Sequence, residues 1–306
     1  MKIPAVLALG LVASGCVATR HATAPSALGV ARSSDELVAV LDRPGPIALQ
    51  SIDSADWEVP LSGLLNLEHP NARAAGLSDR AEPIVVRFHV IDHPTRGSFI
   101  VDTGVERAVH DADRAAVRGL VASYMAIEEK LVVREDLATF LAQHGPLAGV
   151  FLTHLHLDHV MGMPDVPPQT PIYAGPGETT PRSLQNVVMG PNLERLLAGH
   201  APIQEWKFVP DAAGRFDGVV DVFGDGSLWA IWVPGHTPGS TAYLVRTLQG
   251  PVLLTGDASH TRWGWDHDVE PGTYSADPER GAASFHKLRA FAAAHPNVEV
   301  RVGHQH

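Results

Sequence analysis

His154-Leu155-His156-Leu157-Asp158-His159 decides how this 306-residue chain is read. Four side chains able to bind metal stand there in six residues, directly after Gly149-Val150-Phe151-Leu152-Thr153, an apolar run with the composition of a buried strand. In extended backbone, residues two apart project to the same side, so His154 and His156 can face one ion while Leu155 and Leu157 face a core. Asp158 and His159 follow where the chain turns, within reach of a second ion. Imidazole and carboxylate are donors that zinc and its divalent neighbours accept. One histidine in such a place is usually satisfied by ordinary hydrogen bonds; the set points to metal.

Working outward, three later segments repeat one design. Val233-Pro234-Gly235-His236-Thr237-Pro238-Gly239-Ser240 is a turn framed by glycine and proline that carries one histidine. Leu253-Leu254-Thr255-Gly256-Asp257 is an apolar strand ending in a carboxylate, and Val300-Arg301-Val302-Gly303-His304 a short strand ending in histidine. Each sets a donor just past a strand's C-terminal end, where α/β folds build sites on rigid supports. Strands are predicted at 84–91, 98–102, 149–153, 171–174, 205–209, 219–223, 228–233, 242–246, 252–256 and 298–302. Helices are predicted from about Ser123 to His144, near 190–199 and over 278–294. No internal repeat is visible, and two sets of strands with helices between them imply α/β layering in one domain.

The formal charge is −11 and the basic residues are scattered, which argues against a nucleic-acid partner. Residues 1–15 carry one positive charge and then an apolar stretch too short to span a bilayer, the pattern of an export signal. Ala13-Ser14-Gly15-Cys16 resembles a bacterial lipobox, which implies cleavage before Cys16, lipidation there and a membrane-anchored lipoprotein of the periplasm or outer membrane. The alternative is an ordinary signal peptide with a chance cysteine. Residues 16–34, rich in Ala, Ser and Thr, are expected to form a flexible tether, and 35–306 a single domain. Cys16 is the sole cysteine, so no thiolate ligand is available to a metal site.

With these motifs in order, and with Phe99-Ile100-Val101-Asp102-Thr103-Gly104 before them, residues 84–306 resemble the metallo-β-lactamase superfamily. The resemblance implies an α/β fold, the four-layer αβ/βα sandwich, with a metal site at one edge between two sheets. It implies that His154, His156 and His236 hold one ion, that Asp158, His159 and His304 hold another, and that Asp257 bridges them while Asp102 supports the ligands from behind. A shared carboxylate and a bridging hydroxide offset the repulsion of two close dications. Zinc is the expected metal, with Mn, Fe or Co also suited to this N/O donor set.

Within the superfamily the segments Leu64-Leu65-Asn66-Leu67 and Gly256-Asp257-Ala258-Ser259 look most like the N-acyl-homoserine lactonases and their organophosphate-hydrolysing relatives. The thiolester hydrolases add a helical domain after the last histidine, the nucleases want basic surfaces, and lactamases with an all-histidine site generally lack the bridging Asp. The expected activity is therefore opening of a lactone or cleavage of a related ester, with Asp257 or Asp158 assisting proton transfer. A phosphotriesterase or arylesterase, a β-lactamase-like hydrolase and a non-catalytic metal- or ligand-binding lipoprotein are the alternatives. The lactonases carry a tyrosine three residues past the bridging Asp. Here that position is His260, which can donate a hydrogen bond to substrate or act as a polar residue without a catalytic role. Trp263, Trp265 and Met161 are candidate walls of a substrate pocket, with core packing the alternative for each. His110, His144, His200, His286 and His295 are expected to be exposed.

Overall fold

The computed structural model describes residues 18–180 and 184–305. Its strands are β1 (Thr23–Pro25), β2 (Val30–Arg32), β3 (Ala48–Pro60), β4 (Ala81–His93), β5 (Gly97–Val101), β6 (Val132–Val133) and β7 (Gly149–Phe151). They continue as β8 (Ile172–Ala174), β9 (Ile203–Glu205), β10 (Gly218–Asp221), β11 (Leu228–Trp232), β12 (Thr241–Thr247), β13 (Gly250–Leu254) and β14 (Glu299–Arg301). Two sheets result, in the orders β1-β9-β8-β7-β5-β4-β3-β6 and β14-β13-β12-β11-β10-β2.

Side-chain alternation explains why the sheets stack. On β5, Phe99 and Val101 point into a core shared with the other sheet, while Ile100 points to an outer core. On β12, Tyr243 and Val245 point inward, and Ala242 and Leu244 outward. Both faces of these strands are buried, so each carries an unbroken apolar stretch, Phe99-Ile100-Val101 and Ala242-Tyr243-Leu244-Val245. Leu137, Phe140, Leu193 and Leu196, from helices Leu137–His144 and Leu184–Leu196, cover the outer face of the larger sheet. Phe285, Leu288 and Phe291 of helix Pro278–Ala294 cover that of the smaller. Helix, sheet, sheet and helix make the four layers expected.

Four expectations need correction. The helix from Ser123 to His144 is broken into helices Leu120–Tyr124, Ile127–Lys130 and Leu137–His144, with β6 between the last two. Ala126 takes a left-handed φ of 52°, Val132 and Val133 pair with the edge of β3, and Asp136 restarts the helix by accepting a hydrogen bond from Thr139 N at 2.8 Å. The strand at 205–209 is instead Ile203–Glu205, and the helix near 190–199 is Leu184–Leu196. The tether does not hold over the described part of 16–34, because β1 extends the larger sheet beside β9 and β2 extends the smaller beside β10. Cys16 and the export signal lie outside the described residues, and among those described no helix is long and apolar enough to cross a membrane.

Candidate metal centre

β5 and β7 run parallel and end side by side, which sets Asp102 beside the start of the histidine segment. Asp102 takes a left-handed φ of 60°, a conformation that costs about 1–2 kcal/mol outside glycine but is least unfavourable for Asp and Asn. The turn aims its carboxylate at Thr153, whose N–H donates at 2.8 Å and whose hydroxyl donates at 2.9 Å, and at His159, whose Nδ1 donates at 2.8 Å. His156 caps the short helix Leu157–Val160, which carries Asp158 and His159. From the other sheet, His236 follows β11, Asp257 follows β13 and His304 follows β14.

The donors converge on Asp257. Its Oδ2 lies 3.4 Å from His236 Nε2 and 3.7 Å from His154 Nε2, while its Oδ1 lies 3.3 Å from both His159 Nε2 and His304 Nε2. His236 Nε2 stands 3.2 Å from His154 Nε2 and 2.8 Å from His156 Nδ1. Asp158 Oδ2 reaches His304 Nε2 at 3.4 Å. Two groups emerge with mutually close donor atoms: His154, His156, His236 and Asp257, and Asp158, His159, His304 and Asp257. A close approach makes room for the shared carboxylate, since a Cβ on Gly303 would stand 2.6 Å from Asp257 Oδ1.

Hydrogen bonds fix which ring nitrogens are bare. His304 Nδ1 faces the carbonyl of Val85 at 3.1 Å, and a carbonyl only accepts, so Nδ1 carries the proton and Nε2 a lone pair. His159 is held the same way by Asp102. Thr153 has given its one proton to Asp102 and accepts from His154 Nδ1 at 3.0 Å. His159 Nε2 and Asp257 Oδ1 are buried with no hydrogen-bond partner among the described residues. Buried lone pairs aimed at one another repel unless protons or cations lie between them, so this donor set fits two divalent ions. Electrostatics agree. Burial pushes the Asp257 carboxyl up, but His304, His159 and His260 outweigh it and hold it well below the usual carboxylate range. Burial likewise lowers His159, yet Asp257, Asp102 and Asp158 hold it well above an ordinary histidine.

Residues 81–304 match the family model described as the metallo-beta-lactamase superfamily. The chain belongs to the metallo-beta-lactamase superfamily. As a member of it, the protein is a metal-dependent hydrolase. The N-acyl homoserine lactonase AttM of Agrobacterium fabrum (strain C58) is 31% identical over 231 residues, covering 72% of this chain and 82% of that protein. The B. thuringiensis AiiA structure with N-decanoyl-L-homoserine at its active site aligns with a TM-score of 0.58 and 19% identity, over 84% of this chain and 92% of that one. AidC, a dizinc quorum-quenching lactonase, aligns with a TM-score of 0.58 and 14% identity, over 92% of both chains.

The three expected pocket residues of this superfamily member each have packing partners. Met161 is fully buried in the core beneath the larger sheet, and Trp265 packs edge-on against Phe285 under helix Pro278–Ala294. Trp263 stacks on His267 and packs beside Leu61 and Leu65. Of the histidines expected to be exposed, His110 and His286 are, whereas His144, half-buried, stands 3.2 Å from Asp92, and His200 and His295 are also half-buried. Two residues escaped the sequence reading. Buried Glu178 accepts from Leu155 N at 2.8 Å, Gly239 N at 2.7 Å and Thr237 Oγ1 at 2.5 Å, tying the His154–His156 segment to the His236 turn. Tyr274 lies with its ring against Gly63, where a Cβ would stand 2.2 Å from it. Its ring centre is 6.5 Å from that of His260, and its hydroxyl has no hydrogen-bond partner among the described residues.

Proposed function

We propose that this hydrolase opens lactone rings of the N-acyl-homoserine type with two divalent ions held by His154, His156 and His236 on one side, Asp158, His159 and His304 on the other, and Asp257 between them. The observation that carries the reading is the buried Asp257, whose Oδ2 faces His236 and His154, whose Oδ1 faces His159, and both of whose oxygens lie 3.3 Å from His304 Nε2. The choice of substrate rests on the likeness to AttM. When bound, the ions supply a water that is nucleophilic near neutral pH and polarise the attacked carbonyl.

The protein's own groups do the rest. Adding water to the lactone carbonyl breaks the ring C–O bond, and the departing alkoxide needs a proton. Asp158 is better placed than Asp257 to carry it, because its side chain is 18% exposed against 4% and stands on the open side of the cluster. Tyr274, 39% exposed and within the electrostatic reach of Asp158, offers a free hydroxyl to the substrate's polar groups. The buried walls behind Asp257 keep bulk water from the reacting atoms.

A substrate panel tests this reading. The metal-loaded protein is expected to turn over acyl-homoserine lactones of several chain lengths faster than a phosphotriester, an aryl ester or a β-lactam. His154→Ala is expected to lower that turnover by about 100-fold or more, since even loss of a ligand's supporting partner costs 10–100-fold. Lactones left untouched while another class is hydrolysed would sink the lactonase assignment.

A further inference from the structure

Tyr274 stands in a seat built from backbone. Thr273 N donates to Ser62 O at 2.9 Å and Tyr274 N to Gly63 O at 3.3 Å, so two stretches far apart in sequence run side by side. The phenol ring lies directly on Gly63, where any side chain would collide with it. The next residue, Leu64, accepts from His260 Nδ1 at 2.9 Å through its carbonyl, so one short segment places both rings. The rings meet edge to face, with centres 6.5 Å apart and planes at 80°. They differ in what they present. His260 is 1% exposed and its other nitrogen lies 3.2 Å from Asp257 Oδ2, so neither nitrogen is open to an incoming molecule. Tyr274 is 39% exposed, and its hydroxyl has no hydrogen-bond partner among the described residues. Burial pushes that hydroxyl up to about 12, with Asp158, Tyr124 and Asp79 adding to the rise, so the phenol keeps its proton and is a donor at neutral pH. Of the candidate ligands, Asp158 bears on it most, which sets the hydroxyl on the open side of the cluster.

We propose that Tyr274 is a catalytic residue whose hydroxyl donates a hydrogen bond to the lactone ring oxygen as that oxygen leaves. The inference rests on the lactone reading, in which the attacked carbonyl oxygen falls to the ions and the departing oxygen to Asp158 alone. Water adds to the carbonyl carbon, and the ring C–O bond breaks with its electron pair going to the ring oxygen. The proton this oxygen takes is the one that Asp158 carries from the attacking water. Tyr274 transfers no proton. It holds the oxygen while negative charge builds there, which is when a hydrogen bond from a neutral donor gains strength.

The test compares the zinc-loaded full chain with Tyr274→Phe on an N-acyl-homoserine lactone and on the matching homocysteine thiolactone, whose leaving atom is sulfur. Phenylalanine keeps the ring on Gly63 and removes only the hydroxyl, so metal content is expected to stay the same. On the lactone, kcat should fall by about 10-fold or more while KM stays within about 2-fold. On the thiolactone the fall should be about 3-fold or less, because sulfur is a weak acceptor and gains little from the donor. Equal kcat of the two proteins on the lactone would overturn the proposal. Equal falls on both substrates would place the hydroxyl on the carbonyl oxygen instead and overturn it too. A metal-loaded wild type that opens no lactone would remove the substrate reading and this inference together, whereas lactone turnover that Tyr274→Phe leaves intact would remove this inference alone.

Discussion

A buried carboxylate that accepts three hydrogen bonds from two different loops sets the distance between them, and Glu178 does this for the segments that present His154, His156 and His236. Glutamine cannot replace it cleanly, because its NH2 would face another donor. Glu178→Gln is therefore expected to cost about 1–3 kcal/mol of stability and to loosen metal retention, measured by denaturant unfolding and chelator competition. The group also titrates. Burial pushes its pKa up to about 7, against the pull of its donors, so the folded protein holds a proton that the unfolded chain releases near 4.5. Stability from this group is thus present below about 4.5 and falls as pH rises towards 7, by on the order of 3 kcal/mol. The difference in unfolding free energy between pH 5 and pH 8 should shrink in Glu178→Gln; an unchanged difference would refute this assignment. Glu178 was illegible in the sequence because its loop, Gly175-Pro176-Gly177-Glu178, has no pattern tying it to a turn some sixty positions later. The candidate metal donors were legible because they follow apolar runs. Their environment was not, which is why His260 read as a group for substrate or a polar residue without a catalytic role, and stands with its Nε2 3.2 Å from Asp257 Oδ2.

Among the elements, strands buried on both faces were legible almost to their ends, since Leu228–Trp232 is apolar throughout and Thr241–Thr247 holds the apolar run Ala242-Tyr243-Leu244-Val245. β3 was missed for a physical reason. A bulge between Asp53 and Ala55 shifts its register, so Ile52 and then Ala55 and Trp57 all reach the same core although they break strict alternation. The segment from Ser123 to His144 failed in the opposite direction: apolar residues at helical spacing remain there, but a left-handed Ala126 and a β-branched pair docked on β3 interrupt them. The N-terminal segment carries the sharpest consequence. β1 and β2 each close the edge of a different sheet, so removing residues 18–32 should expose two strand edges. The deletion is expected to lower the melting temperature by about 5 °C or more, a loss of roughly 2 kcal/mol. A true tether would leave the melting curve in place, and calorimetry distinguishes the two.

For the molecule as a whole, the candidate ligands are split between its halves. His154, His156, Asp158 and His159 follow a strand of the larger sheet, while His236, Asp257 and His304 follow strands of the smaller. Bound ions would therefore clamp the sheets together at one edge as well as activate water. An ion present at 100 times its dissociation constant adds about 2.7 kcal/mol to stability, so stripping both with a chelator should lower the melting temperature by about 10 °C or more. Equal melting of loaded and stripped protein would contradict ligands drawn from both sheets. The same division orders events in time. β14 docks parallel to β13 before His304 can stand beside Asp257, so a growing or half-folded chain offers an incomplete set of donors. Any ion would therefore meet its full set of donors only in the folded chain, and a copy that has not finished folding would lack a complete site.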